Sequence, residues 1–252
     1  MCGSNREAAS LELDERLALL RAARESPGLV LAGTGLESTR GTVALSRRAA
    51  DLGADALLVL TPHFYASRMS PAALRRHYET VAEQAPVPVL LYSVPVFTGL
   101  PIPPELTVEL ARHPGIAGIK DSSGDLAAIS RVAAGTPDGF WVASGSAPTF
   151  YPALCAGARA GVLALACCAP RAVVCLLRAF ERGDHGEALR LHRLIGGLAD
   201  AVSRRFGIAG LKAAMDLAGL QGGAVRAPLL PVDEAARREL RELLSELTAG
   251  IG

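Results

Sequence analysis

Short apolar runs alternate with longer amphipathic segments over the first two thirds of the chain. Six runs lack polar alternation, as buried parallel strands do, and they cover residues 29–32, 56–60, 87–92, 116–120, 141–144 and 161–165. Helical periodicity accompanies them over residues 11–24, 38–52, 71–84, 104–112, 126–134 and 149–156. Strands that alternate with helices predict an α/β fold with a parallel sheet. A doubly wound sheet and an eight-stranded barrel both fit this order.

Only helices are predicted after the sixth strand, over residues 171–182, 186–204, 208–217 and 233–248. The change of pattern predicts two domains, because each domain needs its own core. A barrel-like domain would cover residues 1–183 and carry the active site. A C-terminal helical extension would cover residues 184–252.

The composition argues against nucleic acid and membranes as partners. The net charge of +1 indicates no strongly basic surface, and aromatic residues make up only 4% of the chain, too few for base stacking. The most apolar stretch, residues 161–177, contains Pro170 and Arg171 and is too short to span a bilayer. The N-terminus resembles neither a signal peptide nor an arginine-rich presequence.

Cysteine and histidine spacing predicts no metal site. The five cysteines include no CxxC pair, and the five histidines show no HxxxH or HExxH spacing. An odd set of unpaired cysteines indicates small buried thiols in a reducing compartment. No strand is followed by GxGxxG, so no dinucleotide cofactor is predicted either.

Lys120 is the candidate nucleophile. It ends an apolar run, and apart from Lys212 it is the only lysine, whereas every other basic residue of the Lys+Arg set is arginine. Arginine stays protonated, but a lysine in apolar surroundings can lose its proton and attack a carbonyl group. A lysine that extends from the strand end to pair with Asp121 would explain the position equally well.

Polar residues follow several of the predicted strands. In an α/β barrel, catalytic residues come from the carboxyl ends of different strands. Together with the loop at residues 3–5, these strand ends can bind a small anion and support amine chemistry. The strand-end residues are Thr61, Tyr92, Lys120 and Ser144.

Longer motifs extend this pattern over essentially the whole chain. They are Gly3-Ser4-Asn5-x-Glu7, Ala32-Gly33-Thr34-Gly35, Glu37-Ser38-Thr39, Leu91-Tyr92-Ser93-Val94-Pro95, Thr98-Gly99, Gly118-Ile119-Lys120-Asp121-Ser122, Ser144-Gly145-Ser146, Arg204-Arg205-Phe206-Gly207-Ile208 and Gly210-Leu211-Lys212. Together they resemble the dihydrodipicolinate synthase/N-acetylneuraminate lyase superfamily of class I aldolases. Within that superfamily they are most similar to 4-hydroxy-2-oxoglutarate aldolases.

The resemblance implies a retro-aldol lyase that splits 4-hydroxy-2-oxoglutarate into pyruvate and glyoxylate without metal or cofactor. Lys120 would form a Schiff base with the keto acid, and Tyr92 would relay protons. Ser4 and Asn5 would hold the carboxylate of the pyruvyl group. Lys212 would be structural. The remaining pocket residues would be Ser122, Gly145, Ser146 and Leu163.

Three positions depart from the family pattern. Arg6 stands where the family has a second glycine, so we expect backbone strain if that position needs a positive φ angle. Phe64 stands where many members carry a second relay tyrosine, and Tyr65 is the nearest hydroxyl in the sequence. The loop at residues 96–98 lacks the arginine usual in dihydrodipicolinate synthases.

The resemblance also implies a TIM (β/α)8 barrel in which the loop at residues 3–5 follows the second strand. We therefore expect an N-terminally incomplete barrel with about six of the eight strands, and a homotetramer. The compartment would be intracellular, the mitochondrial matrix in a eukaryote or the cytoplasm in a bacterium.

Two alternatives remain open. The first is another pyruvate-dependent aldolase or dehydratase of the superfamily, similar to dihydrodipicolinate synthase or to a sugar-acid lyase. The second is a catalytically silent, truncated form that binds full-length subunits.

Overall fold

A computed structural model describes residues 2–251 of the chain. The strands within this range are β1 (Leu31–Gly33), β2 (Ala56–Leu60), β3 (Val89–Ser93), β4 (Ile116–Asp121), β5 (Trp141–Ser144) and β6 (Ala160–Gly161). The helices are α1 (Leu13–Arg24), α2 (Thr39–Asp51), α3 (Pro71–Gln84), α4 (Pro95–Thr98), α5 (Pro104–Leu110), α6 (Leu126–Gly135), α7 (Phe150–Cys155), α8 (Pro170–Glu181), α9 (His185–Asp200), α10 (Gly207–Leu217) and α11 (Glu234–Ile251).

The strands lie in one sheet in the order of the sequence. β1 pairs with β2, β2 with β3, and β3 with β4, each time in parallel. The predicted α/β fold with six strands is therefore confirmed. Side chains such as Leu57, Val59 and Leu91 are fully buried because helices cover the sheet face to which they point.

Glycine at position 118 permits the close approach of β4 to β5. A Cβ atom there would lie 2.4 Å from the carbonyl oxygen of Trp141, well inside van der Waals contact. Because that oxygen belongs to the backbone, it cannot rotate away as a side chain would. Gly118 therefore helps to fix β4, the strand that ends in the Lys120-Asp121 pair.

The chain forms two compact units. One contains the chain up to Ala143 together with Ala156–Arg159, and the other contains Ser144–Cys155 and the chain from Ala160 onwards. The first unit includes β1 to β4 and the helices between them. The predicted domain boundary at residue 183 stays a prediction.

The second unit has a core made largely by the predicted C-terminal helices. Helices α8 to α11 surround fully buried side chains of Leu176, Leu191, Ile195 and Leu240. Within α9 the buried residues Ala188, Leu191, Ile195 and Leu198 follow each other at intervals of three or four, so they form one apolar face of that helix. The predicted helical C-terminal region is therefore confirmed.

Two predicted elements differ from the structure. The strand expected at residues 161–165 is limited to Ala160–Gly161, and a 3₁₀ turn over Ala164–Cys167 replaces its second half. Leu165 in this turn is fully buried in the helical core. A short apolar run can be a strand or a buried turn, and periodicity alone does not separate them.

The helix predicted over residues 186–204 also ends earlier. Regular α9 stops at Asp200, and a π-helical turn, Ala201–Arg205, follows it. The Asp200 carboxylate forms ion pairs with both Arg204 and Arg205, at 2.7 and 3.1 Å. The wider π-helical turn brings these consecutive arginines to one carboxylate. A helix with 3.6 residues per turn would not place them together.

Candidate active site

Lys120 and Tyr92 face each other on neighbouring strands. They are register partners in the pairing of β3 with β4, so their side chains leave the same face of the sheet. Lys120 Nζ lies 4.1 Å from the centroid of the Tyr92 ring, within the range of a cation–π contact. Both side chains are buried, with exposed fractions of 5% and 4%. The structure thus brings the predicted nucleophile and the predicted relay together.

Asp121 does not share this face. As the next residue of β4 it points to the opposite side of the sheet. Its Oδ1 accepts hydrogen bonds from the backbone N–H and the hydroxyl of Ser123, at 2.8 and 2.5 Å. Burial raises the pKa of this carboxyl group, against the lowering effect of those bonds. The alternative in which Lys120 extends out to Asp121 is therefore wrong.

Ser4 extends the pair to a third residue. Its Oγ lies 3.2 Å from the hydroxyl oxygen of Tyr92, although the two residues are 88 positions apart. Ser4 opens a 3₁₀ turn, Ser4–Arg6, in which Arg6 N–H donates to the Gly3 carbonyl group at 2.9 Å. Three predicted site residues therefore form one connected group: Lys120, Tyr92 and Ser4.

The segment that follows the Ser4–Arg6 turn is anchored to α1. The guanidinium group of Arg16 donates to the carbonyl oxygens of Leu11, at 3.3 Å, and of Ala8. Asn5 follows Ser4 in the half-buried turn just before this segment.

Arg6 is not strained. The residue with a left-handed conformation in this loop is Glu7, with φ of 53°, and Arg6 lies inside the 3₁₀ turn. The condition for strain, a positive φ angle at position 6, is therefore not met. The positive φ angle occurs one residue later, at Glu7.

Ser122 follows β4 directly. Its N–H donates to the carbonyl oxygen of Ser93 at 2.8 Å, which continues the pairing of β3 with β4 by one residue. Its hydroxyl oxygen is buried and has no hydrogen-bond partner among residues 2–251. A buried hydroxyl group without a partner costs free energy, and a polar ligand would recover that cost.

Gly145, Ser146 and Leu163 belong to the second compact unit. Ser146 N–H donates to the hydroxyl of Ser144 at 3.3 Å, and this hydroxyl donates to the Ser146 carbonyl group. Leu163 is a buried member of the helical core, with 7% of its surface exposed. Their predicted place in the pocket stays a prediction.

Thr61 follows the end of β2 directly, one residue after Leu60, the register partner of Tyr92. Its Oγ1 is buried without a hydrogen-bond partner in the described range. The strand end was recognised from the sequence, whereas the pairing register with β3 is not visible there.

The other lysine has a different environment. Lys212 lies on α10, and its Nζ donates to the carbonyl oxygen of Ala224 at 2.5 Å. This bond ties the segment after α10 back to the helix. It agrees with a structural role for Lys212.

Glu37 is a residue to which the sequence assigned no role. It precedes α2 and contacts the loop after β2, where its carboxylate pairs with His63 at 2.9 Å. An acidic side chain at one strand end and a histidine at the next were the available signals. They were weak, because 26 residues separate the partners in the sequence.

The turn after β3 carries no charge. Helix α4 consists of Pro95, Val96, Phe97 and Thr98, and the side chains of Val96 and Phe97 are 75% and 57% exposed. Between residues 2 and 251, no group of three or more His, Cys, Asp or Glu side chains could hold a metal ion. Within the same limits, no helix is both long and apolar enough to cross a membrane.

Comparison with known proteins agrees with this geometry. The profile of the dihydrodipicolinate synthetase family matches residues 1–247. The 4-hydroxy-tetrahydrodipicolinate synthase of Methanoculleus marisnigri is 38% identical over 248 residues, which cover 96% of this chain and 84% of that protein. That relative is an archaeal protein, and it lends no support to a mitochondrial location.

Two solved structures show the same fold. The dihydrodipicolinate synthase of Thermotoga maritima matches with a TM-score of 0.92 and 29% identity, over 98% of this chain and 85% of that one. The enzyme of Acinetobacter baumannii, solved in complex with pyruvate, matches with a TM-score of 0.89 and 29% identity over the same shares. Both are similar to this chain in fold, with its single sheet of six strands in sequence order. On the combined strength of the profile, the relatives and the fold, this chain belongs to the dihydrodipicolinate synthetase family.

Proposed function

We propose that the protein is a class I aldolase that cleaves 4-hydroxy-2-oxoglutarate into pyruvate and glyoxylate. The observation that carries the proposal is the connected group of a buried lysine amine, a tyrosine ring 4.1 Å away and a serine hydroxyl 3.2 Å from the tyrosine oxygen. A buried lysine beside a phenol fits Schiff-base chemistry with a keto acid. No metal or cofactor is needed for that chemistry.

The reaction balances with these residues alone. The Lys120 amine adds to the ketone carbon, and the Tyr92 phenol gives its proton to the hydroxyl group that leaves as water, which forms a protonated imine and a phenolate. The phenolate takes the proton from the hydroxyl group at C4 as the C3–C4 bond breaks, and glyoxylate departs as the aldehyde. The electron pair of that bond forms the C2–C3 double bond of an enamine. The enamine takes up a proton at C3 from Tyr92, and water then releases pyruvate and the free lysine as the phenolate regains its proton.

The carboxylate of the substrate would be held by neutral donors. Ser4 and Asn5 lie in the turn beside Tyr92, and the hydroxyl of Ser122 is buried without a partner in the described chain. Hydroxyl and amide donors bind a carboxylate without the cost of burying a second charge. In this proposal Gly145, Ser146 and Leu163 complete the pocket.

The uncharged turn after β3 counts against the synthase reaction. Helix α4 offers only Pro, Val, Phe and Thr side chains. The arginine usual in this loop of dihydrodipicolinate synthases is therefore missing. In the proposed reaction, the second carboxylate of 4-hydroxy-2-oxoglutarate would be bound by groups outside this turn.

A second candidate is the synthesis of 4-hydroxy-tetrahydrodipicolinate. It is favoured by the name of the Methanoculleus marisnigri relative, which is 38% identical to this chain over 248 residues. In this candidate the same lysine would bind a pyruvyl group, but a C–C bond to a second substrate would form where the lyase breaks one.

A homo-oligomer is part of the proposal. Val96 and Phe97 are large apolar neighbours in the turn after β3, and each is more than half exposed. Adjacent exposed apolar side chains are typical of subunit contacts. A tetramer is the proposed assembly, and sedimentation of the purified protein would test it.

Borohydride trapping tests the chemistry. The protein is incubated with pyruvate and reduced, and the mass of each peptide is measured. We expect one adduct, on Lys120. We expect none on Lys212, whose amine donates a hydrogen bond to the carbonyl oxygen of Ala224. The Lys120→Arg variant keeps the charge but should form no adduct. A folded wild-type protein without an adduct would refute the proposal and favour a catalytically silent form.

Substrate specificity requires a separate measurement. The release of glyoxylate from 4-hydroxy-2-oxoglutarate is compared with the formation of 4-hydroxy-tetrahydrodipicolinate in the same preparation. We expect kcat/KM for the cleavage to be larger by at least about 100-fold, which corresponds to roughly 2.7 kcal/mol. A larger value for the synthase reaction would decide for the second candidate.

A further inference from the structure

The carboxylate of Glu37 holds the loop after β2 through three contacts. Its Oε2 accepts the backbone N–H of His63 at 2.9 Å and the backbone N–H of Phe64 at 2.8 Å. Its Oε1 lies 2.9 Å from Nδ1 of the His63 ring. Both carboxylate oxygens are therefore engaged, and they bind two consecutive residues of one loop.

These contacts join two neighbouring strand ends. Glu37 precedes α2 in the segment after β1, and the loop at residues 61–65 follows β2. β2 is the neighbour of β3, where Leu60 is the register partner of Tyr92. The held loop therefore begins one residue beyond the level of Tyr92, at the edge where the carboxyl ends of the strands meet.

The held loop carries two exposed aromatic side chains. Phe64 and Tyr65 have exposed fractions of 76% and 66%, and their rings meet edge to face with centroids 5.1 Å apart. The first two residues of the loop, Thr61 and Pro62, are buried, whereas this outer part has little buried apolar surface to fix it. The contacts from Glu37 reach the backbone of the exposed part directly.

We propose that Glu37 is a positioning residue for the reaction. It fixes the loop at residues 61–65 so that Phe64 and Tyr65 form one wall of the substrate entrance beside Tyr92. The effect on turnover rests on the proposed aldolase function, whereas the effect on the loop does not. Glu37 touches neither Lys120 nor the reacting atoms, so its action is indirect.

A carboxylate suits this position better than another acceptor. Charge-assisted hydrogen bonds from backbone N–H groups are shorter and stronger than neutral ones. The second oxygen also fixes the His63 ring, whose Nδ1 lies 3.2 Å from the carbonyl oxygen of Thr61. One side chain thus fixes the loop at consecutive positions and limits its rotation.

Amide hydrogen exchange in the purified protein tests the contact itself. In the Glu37→Ala variant, we expect the exchange of the His63 and Phe64 amides to become at least about tenfold faster, because both lose their acceptor. The Glu37→Gln variant keeps one oxygen for the two amides, so its exchange should stay within about threefold of wild type. Unchanged exchange in Glu37→Ala would overturn the proposal.

Kinetics test the positioning role. For Glu37→Ala we expect kcat/KM for keto-acid cleavage to fall by about tenfold, while the rate of trapping at saturating pyruvate stays within about twofold of wild type. Glu37→Gln should restore most of kcat/KM. Faster amide exchange together with wild-type kcat/KM would show that the loop contact is merely structural.

Glu105→Ala is the matched control. Glu105 forms an exposed ion pair with Arg131 at 3.6 Å. It lies far from residues 61–65 in the sequence and accepts no hydrogen bond from the amides of that loop. We expect this variant to match wild type in both measurements. If the wild-type protein has no aldolase activity, the exchange result still decides whether Glu37 holds the loop, so the two proposals fail separately.

Discussion

The Tyr92 side chain makes two separate contacts in the candidate site, one through its ring and one through its hydroxyl group. The Tyr92 ring supports the lysine amine through its face, and its hydroxyl group contacts Ser4 at 3.2 Å. Ring and hydroxyl can be separated by substitution, because phenylalanine keeps the first and lacks the second. A phenylalanine substitution at this one position can therefore separate the packing role of the ring from proton transfer by the hydroxyl group.

In the Tyr92→Phe variant we expect kcat for keto-acid cleavage to fall by about 100-fold or more, because the proton relay is lost. The buried ring still packs against Lys120, so the unfolding free energy should change by less than about 1 kcal/mol. Steady-state kinetics and urea unfolding provide the two values.

Ser4→Ala is the control for this prediction. It leaves the phenol in place and removes only its partner, so kcat should fall by about tenfold. If Tyr92→Phe retained wild-type kcat, Tyr92 would be a packing residue and the relay would have to be sought elsewhere.

His77 makes stability depend on pH. It lies on α3, where burial lowers its pKa to about 4, although the nearby Glu37 carboxylate acts in the opposite direction. The folded state therefore binds fewer protons than the unfolded state between pH 4 and the usual value of 6.5. This contribution to stability is present above about pH 6.5 and is lost as the pH falls towards 4, by about 3 kcal/mol in total.

Urea unfolding at a series of pH values, compared with the His77→Gln variant, measures this contribution. We expect the wild-type unfolding free energy to decrease more steeply from about pH 6.5 to pH 4.5 than that of the variant. Glutamine can still meet Thr39, whose Oγ1 lies 2.9 Å from His77 Nδ1. Parallel pH profiles for the two proteins would contradict the buried, neutral state of His77.

At the level of elements, β4 depends on its contact with β5. In Gly118→Ala the new methyl group would meet the Trp141 carbonyl oxygen at 2.4 Å. We expect a loss of about 1–3 kcal/mol in unfolding free energy, because the strands must move apart. Gly139→Ala, where a Cβ meets nothing within 4 Å, is the control and should change stability by less than about 0.5 kcal/mol.

The trapping reaction reports on the same strand. Because β4 carries Lys120, Gly118→Ala should also slow the formation of the pyruvate adduct. Wild-type stability in Gly118→Ala would show that the two strands separate at little cost.

The limits of sequence analysis are visible in particular elements. β2 was predicted at its observed bounds, because residues 56–60 are apolar and are followed by Thr61-Pro62. β6 was predicted too long, because Leu163 and Leu165 are as apolar as strand residues but pack in a helical core. The π-helical turn after Asp200 was missed, because it depends on ion pairs that involve consecutive arginines.

In the candidate site, too, some residues could be predicted from local sequence and others could not. Lys120, Tyr92 and Ser4 were found because each stands in a recognisable local motif. The role of Glu37 was missed, because it depends on backbone N–H groups 26 and 27 positions away and on no property of its own neighbourhood. Local patterns predict which residues stand at strand ends, whereas tertiary geometry decides which of them meet.

At the scale of the whole molecule, the thiols have very different environments. Cys2 and Cys168 are buried, Cys167 and Cys175 are partly buried, and Cys155 is exposed. The sequence predicted small buried thiols, and this fits Cys2 and Cys168 but not the exposed Cys155, which ends α7. Burial, with a smaller effect from Cys167, raises the pKa of the Cys168 thiol to about 12, and burial also raises that of Cys2.

Reaction with a thiol reagent at about pH 8 should therefore proceed in separate phases. We expect the exposed Cys155 to react first and the partly buried Cys167 and Cys175 more slowly, whereas Cys2 and Cys168 should react only on unfolding. In Cys155→Ser the fastest phase should disappear, and denatured protein should show one thiol fewer. A fastest phase that keeps its rate and amplitude in this variant would contradict the assignment to Cys155.

The scarcity of lysine also has an analytical consequence. A protease that cuts only after lysine has two sites in this chain, after residues 120 and 212, and yields three peptides. An alkylated amine at position 120 is no longer a substrate for that protease, so in the trapped protein the first two peptides stay joined as one. The fraction of Lys120 that carries an adduct can therefore be measured from the amounts of these peptides in the digest, without any assay of turnover.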